Sequence, residues 1–341
     1  MPRSGFAAVV LLAVAAGCGG GGEPAAGNAP TTDEPVTLTV YSGRNENLVG
    51  PLLERFTAAT GIAVKARYGE TAELAATLLE EGPATPADVF LSQDASALGA
   101  VAAGGMLRPL PKEVTGRVAA DFADREGLWV GVSGRARTVV YNRRRTTPES
   151  LPQSLPDVAD PAFRGRFGVA PLNASFQAHM AVYRALHGAA GLAELLAGMV
   201  ANEPKRYPNN SSIVQAVVDG EIDWGLVNHY YLWRALAEDP EAPGANFYMP
   251  SGDASGFVNV AGAGVLSEEP QAVELVRFLL FAEAQRYFAE ETLEYPLVDG
   301  IEPAVDLPPL TQLGAPQIDF REVSAVLEET LVAIDQSGLV Q

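Results

Sequence analysis

Val36 to Tyr41 ("VTLTVY") alternates apolar and β-branched residues and reads as a strand. A helix then opens at Asn45 or Glu46, carries Pro51 near its first turn and stops at Gly61. Ile62 to Tyr68 is a second strand. Thr71 is expected to cap a helix ("AELAATLLEE") that ends at Gly82. "ADVFLS", Ala87 to Ser92, is a third strand, followed by a helix from Ala95 to about Ala103. This alternation of strand and helix predicts an α/β layer with a parallel sheet.

A second set follows. "RTVVYN" (Arg137 to Asn142) is expected to be a strand leaving the first lobe, and "RFGVAPL" (Arg166 to Leu172) another. "SFQAHMAVYRALHG" predicts a helix capped by Asn173 or Ser175 and closed by Gly188; "SSIVQAVVDG" predicts a short helix with serine caps. "EIDWGLVN" is a strand that runs into a pair of tyrosines, and Phe257 to Leu266 a strand that recrosses. Helices near Glu268–Phe281, Ala284–Glu291 and Phe320–Asp335 complete the chain. Two α/β lobes with repeated crossings make a clamshell. Its ligand is expected in the crevice, where strand ends and helix N-termini converge, with hinge closure around it.

The chain of 341 residues, 48% hydrophobic, is ample for about two domains. Its first residues read as an address. Arg3 precedes an apolar run, Phe6 to Ala16, too short to span a bilayer, and small residues lead to Cys18. The pattern resembles a bacterial lipoprotein signal with Cys18 as the lipidated residue, although Ala15 stands where leucine is usual; simple secretion is the alternative. Gly19 to Glu34 is too poor in apolar bulk to pack and reads as a tether. The expected organisation is a signal peptide over 1–17, lipidated cysteine and tether over 18–35, a discontinuous first lobe of 36–134 and 257–341, and a second lobe of 135–256.

Cys18 is the only cysteine, so an internal disulfide, a thiolate zinc site and an Fe–S cluster are excluded. A formal charge of −19 repels nucleic acid. No Gly-x-Ser-x-Gly or His-Glu-x-x-His motif is present, and nothing argues for catalysis. His179 and His187 lie eight apart in one helix, too far to share a zinc ion.

The chemistry gathers at "GLVNHYYLWR", Gly225 to Arg234. Tyr230 and Tyr231 either pack beside Leu232 and Trp233 or offer two hard oxygen donors to a metal. Fe(III), small and highly charged, suits such donors, and a phenol of pKa about 10 loses its proton to it. In an extended strand neighbours point apart, so a pair sharing one ion belongs at a strand end or turn.

The runs "YSGRNENLVGPLLERF", "GETAEL", "ADVFLSQDASALGA", "WVGVSGRARTVVYN", "GLVNHYYLW", "FVNVAGAGV" and "LEYPLVDGIEP" occur in order from Val36 to Pro303. Together they resemble the ferric-ion-binding proteins of bacterial iron uptake, substrate-binding components of ABC transporters with a periplasmic-binding-protein fold. The resemblance implies that Tyr230 and Tyr231 supply phenolates to Fe(III) between the lobes. It also implies a synergistic anion such as carbonate or phosphate and an ABC permease as partner; a monomer that meets the membrane only through the N-terminal lipid anchor is expected. Many such proteins have histidine at the position of Asn45 and glutamate at that of Gln93. Some have a tyrosine at the position of Glu46, or at Ala174 or Ser175.

Glu46 is therefore a candidate carboxylate ligand, or an exposed acid in a helix first turn. Asn45, Gln93, Asp94, Ser175, Asn210 and Asn228 are candidate anion contacts. Asp94 is a poor donor while ionised, and Ser175 and Asn210 stand at helix starts. Arg135 balances anion charge or makes a structural ion pair. His229 is either a ligand or a hydrogen-bonding neighbour. Two alternatives stand beside iron capture: the same fold binding a small oxyanion, carboxylate compound or polyamine, and an exported hydrolase, which lacks any nucleophile–base motif.

Overall fold

A computed structural model describes residues 36–250, 254–316 and 318–340. The signal, Cys18 and tether expected over 1–35 lie outside the described residues, as do residues 251–253.

The first three strands are β1 (Thr37–Ser42), β2 (Ala63–Tyr68) and β3 (Val89–Ser92). They alternate with helices α1 (Glu46–Thr60), α2 (Thr71–Glu81) and α3 (Ala95–Ala103). β1 pairs in parallel with both β2 and β3, as the alternation of elements requires. Gly61 closes α1 at φ +76°, a left-handed position that only glycine takes without strain. Pro51 sits inside α1, a turn later than expected.

Thr71 is the first residue of α2 and not its cap. Its hydroxyl instead donates to Gly43 O and accepts from Gln93 N, both at 3.3 Å. It therefore ties together the loops that leave β1 and β3.

After a four-residue helix, α4 (Lys112–Thr115), comes β4 (Trp129–Asn142), fourteen residues long and buried throughout. The sequence pattern starts this strand at Arg137. The earlier half is hidden by Gly131, Ser133 and Gly134, which lack strand propensity; the two glycines allow close packing under Leu297 and Tyr295. β5 (Phe167–Val169) is shorter than expected. α5 (Ala174–Ala201) is broken at Gly188 (φ +74°), as its glycine predicts, and then resumes for a second half that the pattern did not suggest.

β6 (Lys205–Arg206) precedes α6 (Asn210–Val218), whose cap is Asn209, accepting from Ser212 N, and not a serine. β7 (Trp224–Asn228) leads directly into α7 (Tyr230–Glu238), followed by β8 (Gly244–Phe247) and β9 (Val258–Val265). α8 (Pro270–Leu279), α9 (Ala282–Tyr287) with a π turn over Phe288–Thr292, and α10 (Phe320–Gln336) end the chain.

The strands run in the order β2-β1-β3-β9-β4-β7-β5-β6, with β8 also on β4. Trp129 to Ala136 of β4 pairs with β9, and Arg137 onward pairs with β7 and β8. The sheet changes hands within two residues, so β4 and β9 are the strands that join two α/β lobes. α10 packs against both α3 and α5 and is not confined to one of them.

Candidate functional site

Three helix N-termini meet where the sheet changes hands. Gln93 and Asp94 precede α3, Asn173 to Ser175 start α5, and Tyr230 and Tyr231 start α7. With Arg135, Asn228 and Asn259 from the strands, these residues line one cavity of about 50 Å³. Free N–H groups at helix starts make such a place positive.

The tyrosine pair owes its geometry to an abrupt change of backbone. The ladder pairs Arg137 with Asn228, and His229 is already helical at φ −56°, ψ −38°. Successive side chains on a helix are about 100° apart instead of opposed. The Tyr230 and Tyr231 rings stack with centroids 4.4 Å apart and planes 30° apart, and both face the cavity wall. The Arg234 guanidinium lies 4.7 Å from the Tyr230 ring centroid. Burial, the neighbouring Tyr231 hydroxyl and Glu294 push the Tyr230 hydroxyl above the usual phenol range, against the pull of Arg135. Without a cation Tyr230 is therefore a protonated phenol at neutral pH.

His229 is a brace and not a ligand. Its Nδ1 accepts Ala136 N–H at 3.2 Å, so Nε2 carries the proton and donates to Leu293 O at 3.0 Å. Both ring nitrogens are committed. Burial holds its pKa down at about 4, so the ring is neutral.

Arg137 was missed by the sequence reading. It stands two residues from Arg135 on β4 and is, like Arg135, 2% exposed. Its Nη1 donates to Asn228 Oδ1 at 3.0 Å and Ser175 Oγ at 3.2 Å. Burial lowers its pKa to about 10, with Tyr231 and Tyr230 opposing, so it stays charged at neutral pH. The only signal in the sequence was the i, i+2 spacing of the two arginines, which puts them on one face of a strand.

Ser175 Oγ donates to Asn173 Oδ1 at 2.5 Å and accepts from Arg137 and from Asn210 Nδ2 at 3.1 Å, which uses its whole hydrogen-bonding capacity. Asn210 is buried behind the wall and supports Ser175 without lining the cavity. Arg135 Nη2 donates to Gln93 O, so the expected structural ion pair is not what holds it. Asn173 and Asn259 also line the cavity and were not foreseen.

Asn45 and Glu46 do not join this wall. Asn45 caps α1 through Asn47 N and is exposed. Glu46 lines a separate depression with Glu54 and Tyr68. The loop that carries them is fixed by a buried pair that was also not foreseen. Arg44 Nη2 lies 2.9 and 3.1 Å from the Glu294 carboxylate oxygens, and Ser133 Oγ donates to it at 2.5 Å. Among the described residues no three His, Cys, Asp or Glu side chains gather to hold a metal, and no helix is long and apolar enough to cross a membrane.

Comparison with known proteins agrees with this architecture. The "Major ferric iron-binding protein" of Neisseria meningitidis serogroup B is 33% identical over 312 residues, covering 89% of this chain and 93% of the relative. The iron-bound structure of HitA from Pseudomonas aeruginosa matches with a TM-score of 0.81 at 32% identity, over 89% of this chain and 100% of that one. A Trichodesmium FutA structure in complex with iron and citrate matches with a TM-score of 0.74 at 26% identity, over 89% and 99%. Residues 84–317 match the family described as "Bacterial extracellular solute-binding protein". The chain belongs to that family of two-lobed solute-binding proteins, which serve transport and are not enzymes.

Proposed function

We propose that this protein captures Fe(III) outside the cytoplasm and delivers it to an ABC permease. Tyr230 and Tyr231 bind the ion as phenolates in the cleft between the lobes. A small oxyanion such as carbonate or phosphate sits beside it, neutralising Arg135 and Arg137 and accepting from Asn228 and the helix N-termini. Cys18 anchors the chain to the membrane by its lipid. The lobes are 36–134 with 257–341, and 135–256, and they close about the crossing strands β4 and β9. The observation that carries this reading is that both tyrosines line one small cavity with the buried Arg135, while the buried Arg137 holds its lining residues Asn228 and Ser175 from behind. Its likeness to ferric-binding relatives over 89% of the chain supports it.

The charges explain the need for an anion. Fe(III) with two phenolates leaves one positive charge, and the two arginines add two more. In a buried site that excess demands an anionic partner. Ferric salt added to the pure protein with bicarbonate or phosphate should produce a visible phenolate-to-iron absorption band. The Tyr230→Phe, Tyr231→Phe double variant should lose both band and binding. A colourless wild type without tight ferric binding in either buffer refutes the reading.

One observation favours a second reading, an oxyanion bound without iron. Arg135 Nε and Arg137 Nε and Nη2 are buried without hydrogen-bond partners among the described residues. A thermal-shift screen separates the two, because a true ligand stabilises by mass action. Anions alone should shift the transition less than anion plus Fe(III).

A further inference from the structure

We propose that Asp94 is a third protein ligand to the ferric ion, its carboxylate taking a coordination position beside the two phenolates. This rests on the ferric reading above and adds a protein donor to its two phenolates.

Placement comes first. Asp94 lines the same cavity as Tyr230 and Tyr231, and about 50 Å³ is room for only a few waters, so groups on its wall surround a single ion. Chemistry comes second. Fe(III) prefers hard anionic oxygens. Besides the two phenols, the other polar groups on this wall are amides, a fully used hydroxyl and the Arg135 guanidinium; among the described residues Asp94 brings the one carboxylate. Glu46 lines a different depression.

The state of the carboxylate is the third argument. Asp94 Oδ1 takes the Ala97 N–H at 2.9 Å, capping α3. A carboxylate has about four lone-pair positions, so the cap orients the group without exhausting it. Among the described residues Asp94 forms no salt bridge. Arg135 acts on it only through space and spends Nη2 on Gln93 O. Capping alone does not call for a buried charge, since Asn or Ser caps as well. A trivalent cation in the cavity supplies what the carboxylate lacks.

Asp94→Asn keeps the cap and the shape and removes the charge. The apo variant should melt within a few degrees of wild type. Its ferric affinity, measured by competition with a chelator of known strength, should fall at least about thirtyfold. Its phenolate-to-iron band should persist but move to longer wavelength, because losing an anionic donor makes the iron a stronger electron acceptor. Asp94→Ser, also a capping residue, should do the same. In wild type labelled with ¹³C-aspartate, pulsed electron paramagnetic resonance should detect a carboxylate carbon coupled to the iron, a readout that needs no variant. A coloured wild type whose Asp94→Asn form has the same affinity and band overturns the assignment alone. So does an absent ¹³C coupling, or tighter iron binding by the variant. A colourless wild type overturns this inference together with the ferric reading.

Discussion

The two walls of the cavity are built differently. On the side of β7, α5 and α7, side chains hold side chains: Arg137, Ser175, Asn173, Asn210 and Asn228 form one connected network. On the side of β1 and β3, backbone does the holding. Thr71 bridges Gly43 O and Gln93 N, Ser92 Oγ donates to Asp94 O, and Arg135 reaches Gln93 O. The first wall is preorganised and has little freedom to rearrange. The second fixes its loops and leaves the Gln93 and Asp94 side chains available to a ligand. Under the proposed role, one rigid and one adaptable face would serve a cleft that closes on its cargo and later releases it.

The largest effect is expected where a buried charge pair, Arg44 with Glu294, fixes the loop after β1. Glu294→Gln leaves Arg44 buried and unpaired, which costs about 3–5 kcal/mol. Urea denaturation of the apo protein should show it; a loss under 1 kcal/mol would mean that the loop bearing Asn45 and Glu46 is held by something else. The pH dependence follows from a carboxyl held below its ordinary range. Burial raises it, but Arg44, Arg135 and the Ser133 hydrogen bond outweigh that. The stabilisation is thus fully present above the unfolded glutamate value of about 4.3 and is lost as pH falls through the lower folded value. The gap between wild type and Glu294→Gln should be constant near neutrality and shrink in acid.

The next effect sharpens the rigid wall and has opposite signs for stability and function. Arg137 is buried with two guanidinium nitrogens, Nε and Nη2, unpaired among the described residues. Replacing it with methionine removes a desolvated charge and should stabilise the apo protein by about 1 kcal/mol. The same change should weaken anion-assisted ferric binding by about tenfold or more, roughly 1.4 kcal/mol. If apo stability and affinity both fell, Arg137 would be a structural strut and not a group waiting for an anion.

These residues also show what a sequence can display. The helix stops were legible because Gly61 and Gly188 take left-handed backbone that other residues avoid. The tyrosine doublet was legible because two phenols in sequence stay neighbours in any fold. Arg137 was not, since an arginine in a strand reads as solvent-facing until Asn228 and Ser175, 91 and 38 residues away, are brought to it. The same limit applies to the carboxylates. Glu46 and Asp94 both follow strands of the parallel layer. Local pattern cannot say that the loop after β3 reaches the tyrosines while Glu46 turns toward Tyr68.

The smallest effect tests whether the adaptable wall is adaptable in its side chains or in its backbone. Thr71 holds two loops with one hydroxyl through bonds at the long end of the range, 3.3 Å each. Thr71→Ala should cost about 1 kcal/mol, the net worth of such a hydroxyl. Its neighbour explains why the arrangement is tight: a Cβ on Gly43 would stand 1.9 Å from the Thr71 Oγ1, so the β1 loop can approach only as glycine. Loosening it should free the backbone that carries Gln93 and Asp94 and leave the tyrosine wall untouched. The expected signature is a ferric affinity lowered only a few fold, with an unchanged phenolate-to-iron band and a faster release of iron to a competing chelator. A shifted band would show that the motion of this loop reaches the tyrosines, and the two walls would then have to be treated as one.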